Sequence, residues 1–103
     1  MLSIFRLSCV VAAISAGAVH AESISKKDDC GYQGQVVAAI QAARLERVKE
    51  SKLVEHIAAT NPEWPERYNN AITILGGPIY DIKRRDMKTV DLGTQWKDAC
   101  LSQ

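Results

Sequence analysis

The side chains with the sharpest chemistry in this 103-residue chain are three cysteines, Cys9, Cys30 and Cys100, and two histidines, His20 and His56. A thiol can bridge, bind a soft metal or attack as a nucleophile, and each role needs its own neighbourhood. Dithiol redox chemistry favours a Cys-x-x-Cys spacing, and a zinc site needs clustered cysteine and histidine. The sequence contains neither pattern, so no metal is expected. Hydrolase chemistry would call for a Gly-x-Ser-x-Gly elbow, phosphate chemistry for a glycine-rich cradle, and haem attachment for Cys-x-x-Cys-His. These are missing too, and no cofactor is expected. His56 sits beside Glu55 on the side of its turn away from Leu53 and Ile57, so both are expected to face water rather than form a catalytic pair. No residue is assigned a catalytic role, and the chain is read as a non-enzyme.

What the thiols do depends on where the chain works. Residues 1–21 carry one positive charge, Arg6, then an apolar run from Leu7 to Val19, and close on Val19-His20-Ala21 with small residues at the two positions a signal peptidase reads. The run is shorter than the roughly 20 residues that span a bilayer, so it reads as a cleaved export signal rather than an anchor. Cys9 leaves with it, because Arg6-Leu7-Ser8 is no lipoprotein box. Two cysteines then remain in an oxidising compartment, where the one possible pairing is Cys30 with Cys100. A bridge there would join the ends of nearly the whole folded chain and contribute roughly 4 kcal/mol by the loop-entropy model. A domain this small draws only about 5 kcal/mol from its core. The bridge therefore decides whether it is stable.

After removal of 1–21 the chain has 12 basic and 12 acidic residues. A neutral exported domain is a poor nucleic-acid binder, so none is expected. Candidates for partner binding are few. Lys83-Arg84-Arg85 with Lys88 is the one concentration of positive charge, diluted by Asp81 and Asp86, and it suits an anionic surface or an acidic protein. Arg44 falls inside an apolar arc and must snorkel or find a carboxylate or carbonyl. Trp64, Arg67 and Tyr68 are of the types that dominate interface hot spots, although the spacing of Trp64 and Tyr68 points to core first.

These residues must be positioned by helices, because no segment alternates with the period of a strand. Residues 22–29 are polar and read as a mobile tail, with Asp28 and Asp29 offering cap oxygens to a helix that follows. From Tyr32 to about Glu50, Val36, Val37, Ile40, Ala43 and Val48 share one side of a helical wheel. Leu53, Val54, Ile57 and Ala58 either extend that helix or form a separate one. Prolines 62 and 65 make a corner, after which Trp64, Tyr68, Ala71, Ile72 and Leu75 line one face. Gly76-Gly77-Pro78 reads as a helix stop and restart. Ile79 and Ile82 begin a stripe that Met87 and Val90 extend. Asp91 caps a last helix whose Leu92, Trp96, Ala99 and Cys100 share a face. The expectation is an all-α, small bundle of four or five short helices over residues 30–103, closed by one terminal disulfide.

The runs Cys30-Gly31-Tyr32-Gln33, Val36-Val37-Ala38-Ala39-Ile40-Gln41, Trp64-Pro65-Glu66-Arg67-Tyr68-Asn69-Asn70-Ala71-Ile72 and Trp96-Lys97-Asp98-Ala99-Cys100 resemble a group of uncharacterised small exported bacterial proteins. The resemblance implies an exported location and a two-cysteine helical build, and carries no activity. In architecture alone the chain is also similar to periplasmic acid-stress chaperones of the HdeA type. The function expected is that of a periplasmic or secreted helical protein that binds an envelope protein or an anionic surface. An acid-stress chaperone and a small-ligand binder with a pocket near Arg44, Tyr68 or Arg84 are the alternatives.

Overall fold

Serine, not aspartate, starts the first helix. The Ser25 hydroxyl accepts the Asp28 N–H at 3.1 Å and its carbonyl accepts the Asp29 N–H. One of the four donors that a helix start leaves open is thereby closed, and the first bond of the helical ladder is made. Asp28 and Asp29 then lie in the first turn, where negative charge opposes the helix dipole. Residues 26–29 are therefore helix rather than the mobile tail expected, and Ile24 ahead of them packs half-buried against the core. The structure, a computed structural model, describes residues 23–103, and the expected export signal lies outside the described residues.

Five α-helices follow one another: α1 (Lys26–Leu45), α2 (Leu53–Ala58), α3 (Asn69–Tyr80), α4 (Arg84–Met87) and α5 (Leu92–Leu101). Short 3-10 turns at Glu50–Lys52 and Glu66–Tyr68 lead into α2 and α3. The described residues are all-α, and Cys30 at the start of α1 is bridged to Cys100 at the end of α5, with the Cα atoms 5.6 Å apart. That separation is ordinary for a disulfide.

Helix α1 is the spine on which the others pack. Its buried side is the predicted stripe of Val36, Val37, Ile40 and Ala43, while Ala38, Ala42 and Glu46 face out. The helix ends at Leu45, earlier than its periodicity suggests, and Val48 is not part of it. Arg47 adopts a left-handed backbone, φ 65°, its N–H closes on the Arg44 carbonyl and the Val48 N–H closes on Ala43. This is the double closure that glycine usually makes. With arginine in the glycine position, composition hides the stop. Leu53 and Ile57 then belong to a separate helix and enter the core beside Trp64, Tyr68 and Ile72.

Helix α3 runs straight through Gly76-Gly77-Pro78, where a stop was expected. Gly76 serves packing: a Cβ there would lie 2.9 Å from Leu53 Cδ2, so the bare backbone lets the Leu53 side chain lie against α3. Pro78 removes a single donor, the one that would close the Ile74 carbonyl. After Tyr80 the chain turns, and α4 buries Met87 while leaving Val90 beyond it exposed.

The last helix begins where predicted. Asp91 accepts the Thr94 N–H at 3.0 Å and the Thr94 hydroxyl at 2.7 Å, and those two bonds hold its carboxyl below the ordinary carboxylate range. Its packing face differs from the prediction, because Trp96 and Ala99 are exposed and Gly93 is buried. α5 meets α1 at two glycines. A Cβ on Gly93 would lie 2.7 Å from the Gly34 carbonyl oxygen and 2.9 Å from Ala38 Cβ, and one on Gly34 would lie 2.8 Å from the Gly93 carbonyl oxygen. Backbones this close admit no side chain between them.

One buried polar side chain, which periodicity alone did not single out, fixes the approach to α5. Gln41 lies on the inner side of α1. Its amide nitrogen donates to the carbonyls of Met87 and Val90, both at 2.8 Å, and its carbonyl accepts the Leu92 N–H at 3.1 Å. Every polar atom of the amide is used, and α5 gains a partner for an N–H that its own turn cannot close. Gln41→Leu keeps the volume but strands that donor and two carbonyls. It is expected to destabilise the fold by about 1–3 kcal/mol in urea titration, well above an exposed Gln35→Leu control.

Candidate functional site

Helices α3 and α5 both pack on α1 but scarcely touch each other. The gap between them is a groove of about 240 Å³. Val37 of α1 is its floor, Leu75, Pro78 and Ile82 form one wall, and Leu92, Gln95 and Trp96 form the other. Local folding explains each wall. Leu75 and Pro78 are three residues apart on the unbroken α3, so they share a face, and Ile82 continues it just past the helix end. The glycine contact seats α5 on α1 through Gly93 and Lys97, and Trp96 on their flank stays partly exposed at the groove.

Ile74, four residues before Pro78, stands 70% exposed beside this groove, and Trp96 is 39% exposed on the opposite wall. Large apolar side chains thus stand in water on one wall of an apolar channel and one turn from the other. The Trp96 indole N–H is not free to drift, because it donates to Gln33 Oε1 at 2.9 Å.

That bond is one end of a polar chain beside the disulfide. Gln33 donates in turn to Asp29 at 2.9 Å, and the Tyr68 hydroxyl donates to the other Asp29 oxygen at 2.6 Å. The chain links the start of α1 to α5 and to the turn before α3. Burial, and then the Asp29 carboxylate that the hydroxyl donates to, push the Tyr68 phenol above its ordinary 10.0. Burial likewise raises Tyr80, whose hydroxyl donates to the Val48 carbonyl at 2.7 Å. The folded state thus holds these protons more tightly than the unfolded one. Their stabilising contribution is complete below pH 10 and is lost as pH rises through the raised values. Tyr68→Phe and Tyr80→Phe should each flatten the alkaline loss of stability, measured as urea midpoint against pH from 8 upward.

The residues singled out in the sequence fall into two sets. Trp64 and Tyr68 are core, 8% and 7% exposed. Tyr68 rests against Tyr32 with ring centres 5.2 Å apart, Arg67 lies over its ring at 5.4 Å, and the Trp64 N–H donates to Asn69 Oδ1 at 2.8 Å. Trp64 also edges a second groove of about 350 Å³ with Val54, Ala58, Pro62, Asn69 and Ile72. Arg44 resolves in favour of a carbonyl: its guanidinium lies 5.3 Å from the Tyr80 ring centre and donates to the Ile82 carbonyl at 3.4 Å. It braces the end of the α3 wall. Lys83, Arg84 and Arg85 follow at once, on the stretch that connects the two walls; Arg85 pairs weakly with Asp86 at 3.8 Å, and Lys83 and Arg85 are exposed.

His56 does not simply face water. Its Nε2 lies 3.3 Å from Glu46 Oε2 and its side chain is 37% exposed, so it ties α2 to the end of α1. One oxygen of Asp29 and the sulfurs of Cys30 and Cys100 lie within 4.8 Å of one another, but the sulfurs are bonded together and have no thiolate to offer a metal. No helix among the described residues is long and apolar enough to cross a membrane. Comparison of the chain with protein-family models, with curated proteins and with solved structures finds no match.

Proposed function

We propose that this chain is an exported, periplasmic or secreted, non-enzymatic binding domain, and that it works through the face formed by α3, α5 and the stretch between them. The observation that carries this reading is the apolar groove itself, with Trp96 exposed on one wall and Ile74 exposed one helical turn from Pro78 of the other. The bridge at the other end of α1 and α5 supports an oxidising location, since such bonds persist outside the cytoplasm.

The physical logic is that of a stapled scaffold. A domain this small cannot leave apolar surface open and remain stable on its core alone. With the ends of α1 and α5 tied covalently, the chain can keep apolar area uncovered for a partner. Trp96 brings a large, amphipathic contact surface at low entropic cost, and its fixed N–H pre-organises it.

The test is capture from a detergent-solubilised envelope extract on the immobilised oxidised protein, followed by analysis of both protein and lipid. The wild type should retain a defined component that Ile74→Asp loses and Val54→Asp, on the second groove, keeps. Identical retention on all three would refute a role for this face.

A further inference from the structure

Resting on that reading, we propose that the partner is an anionic phospholipid surface, on which the α3–α5 face docks with Ile74 and Trp96 at the acyl boundary and the 83–88 stretch at the headgroups. The two halves of such a site are contiguous here. Ile82 ends one apolar wall and Leu92 begins the other, and the residues between them are the basic concentration of the chain. From 83 to 88 there are four basic side chains against one acidic. Lys83, Arg84 and Lys88 make no ion pair among the described residues, and the pair between Arg85 and Asp86 is exposed and long. Asp81 and Asp91 bracket the stretch, but the Asp91 carboxylate is engaged by Thr94.

Net charge also differs across α3. The five glutamates among the described residues all lie between 46 and 66. That part of the chain packs, through Leu53 and Glu50, on the flank of α3 that carries Gly76 and Gly77. The groove lies on the flank that carries Leu75 and Pro78. From Asp81 to Asp91 four basic residues stand against three acidic, and from Glu46 to Glu66 three basic stand against five acidic, so the stretch that joins the groove walls is the more positive of the two. Basic residues beside apolar ones, with a tryptophan at the rim, match the interface of an anionic leaflet, where a cation attracts headgroups and an indole sits at their level. An acidic protein would satisfy the same cations, and it is the outcome that the vesicle experiment separates from a lipid surface.

The experiment is flotation of the oxidised protein with vesicles of phosphatidylcholine alone or mixed with phosphatidylglycerol, at low and high salt. Binding is expected to the mixed vesicles only, and to weaken with salt. Lys83→Glu with Lys88→Glu should weaken it by about 25-fold or more, at roughly fivefold for each cation lost. Ile74→Asp should remove most of it, whereas Val54→Asp should not, with helical circular dichroism confirming that each variant folds. Equal binding to both vesicle types, no binding at all, or indifference to the lysine reversals would overturn the lipid assignment. If vesicles fail yet an envelope protein is captured in an Ile74-dependent way, the lipid inference falls and the binding-face reading stands. If Ile74→Asp changes neither vesicle binding nor capture, both fall.

Discussion

Opening the Cys30–Cys100 bridge is expected to cost about 4 kcal/mol of stability and to lower the melting temperature by roughly 15 to 30 °C. The estimate follows from the 70-residue separation of the two half-cystines, which makes the closed loop nearly as long as the described chain. An unfolded chain so tethered has far fewer conformations to regain. In the fold the bridge joins the first turns of α1 to the last turn of α5, beside the chain of hydrogen bonds from Tyr68 through Asp29 and Gln33 to Trp96. Cys100→Ser, or wild type with a dithiol reductant, should therefore show a lower urea midpoint. With a core worth only about 5 kcal/mol, a large unfolded fraction should appear at 37 °C. Unchanged melting after full reduction would show that the bundle needs no staple.

The second large effect concerns the crossing of α1 and α5. Gly93→Val should destabilise by about 3 kcal/mol, because its Cβ alone would come within 2.7 Å of the Gly34 carbonyl and 2.9 Å of Ala38 Cβ. The obstacle is backbone, so relief requires α5 to move away from α1. That would also pull on the Leu92 N–H bond to Gln41. Gly34→Ala meets the Gly93 carbonyl at 2.8 Å and should cost about 2 kcal/mol despite alanine's better helix propensity. Combined, the two should cost less than their sum, since helices already parted by one substitution accommodate the other. Gly31→Ala is the control: nothing lies within 4 Å of its added Cβ, so it should stabilise α1 by about 0.5 to 1 kcal/mol. One helix thus carries glycine substitutions of opposite sign, readable by thermal melting of the three single variants.

What could be read from the chain beforehand was the part governed by local rules. The α1 stripe of Val36, Val37, Ile40 and Ala43 is a matter of period, the Asp91 cap a matter of one oxygen two or three residues from a free N–H, and the cysteine pairing a matter of compartment and parity. The misreadings lie where a residue does what another type usually does. Arg47 takes the left-handed position that glycine would advertise, so periodicity runs α1 past its true stop. Gly76 looks like a terminator but makes room for Leu53, so α3 was cut short. Ser25 rather than Asp28 caps α1, which turned a helical turn into an apparent tail.

The proposed binding face was hidden for a different reason. Apolar spacing alone ranks Trp96 above glycine and so assigns it to the packed side of α5. In three dimensions Gly93 and Lys97 take the contact with Gly34, and Trp96 stands on their flank as part of the groove wall. Gln41 is a similar case, since its worth depends on carbonyls 46 and 49 positions away. Partners at that range leave no local pattern.

The most direct measurement is the intact mass of the chain recovered from its own cell envelope or medium, alkylated without reductant. The account predicts a chain beginning at Glu22, two hydrogens lighter than its reduced mass and carrying no alkyl group. A species that retains residues 1–21, or that carries adducts on both Cys30 and Cys100, would contradict it.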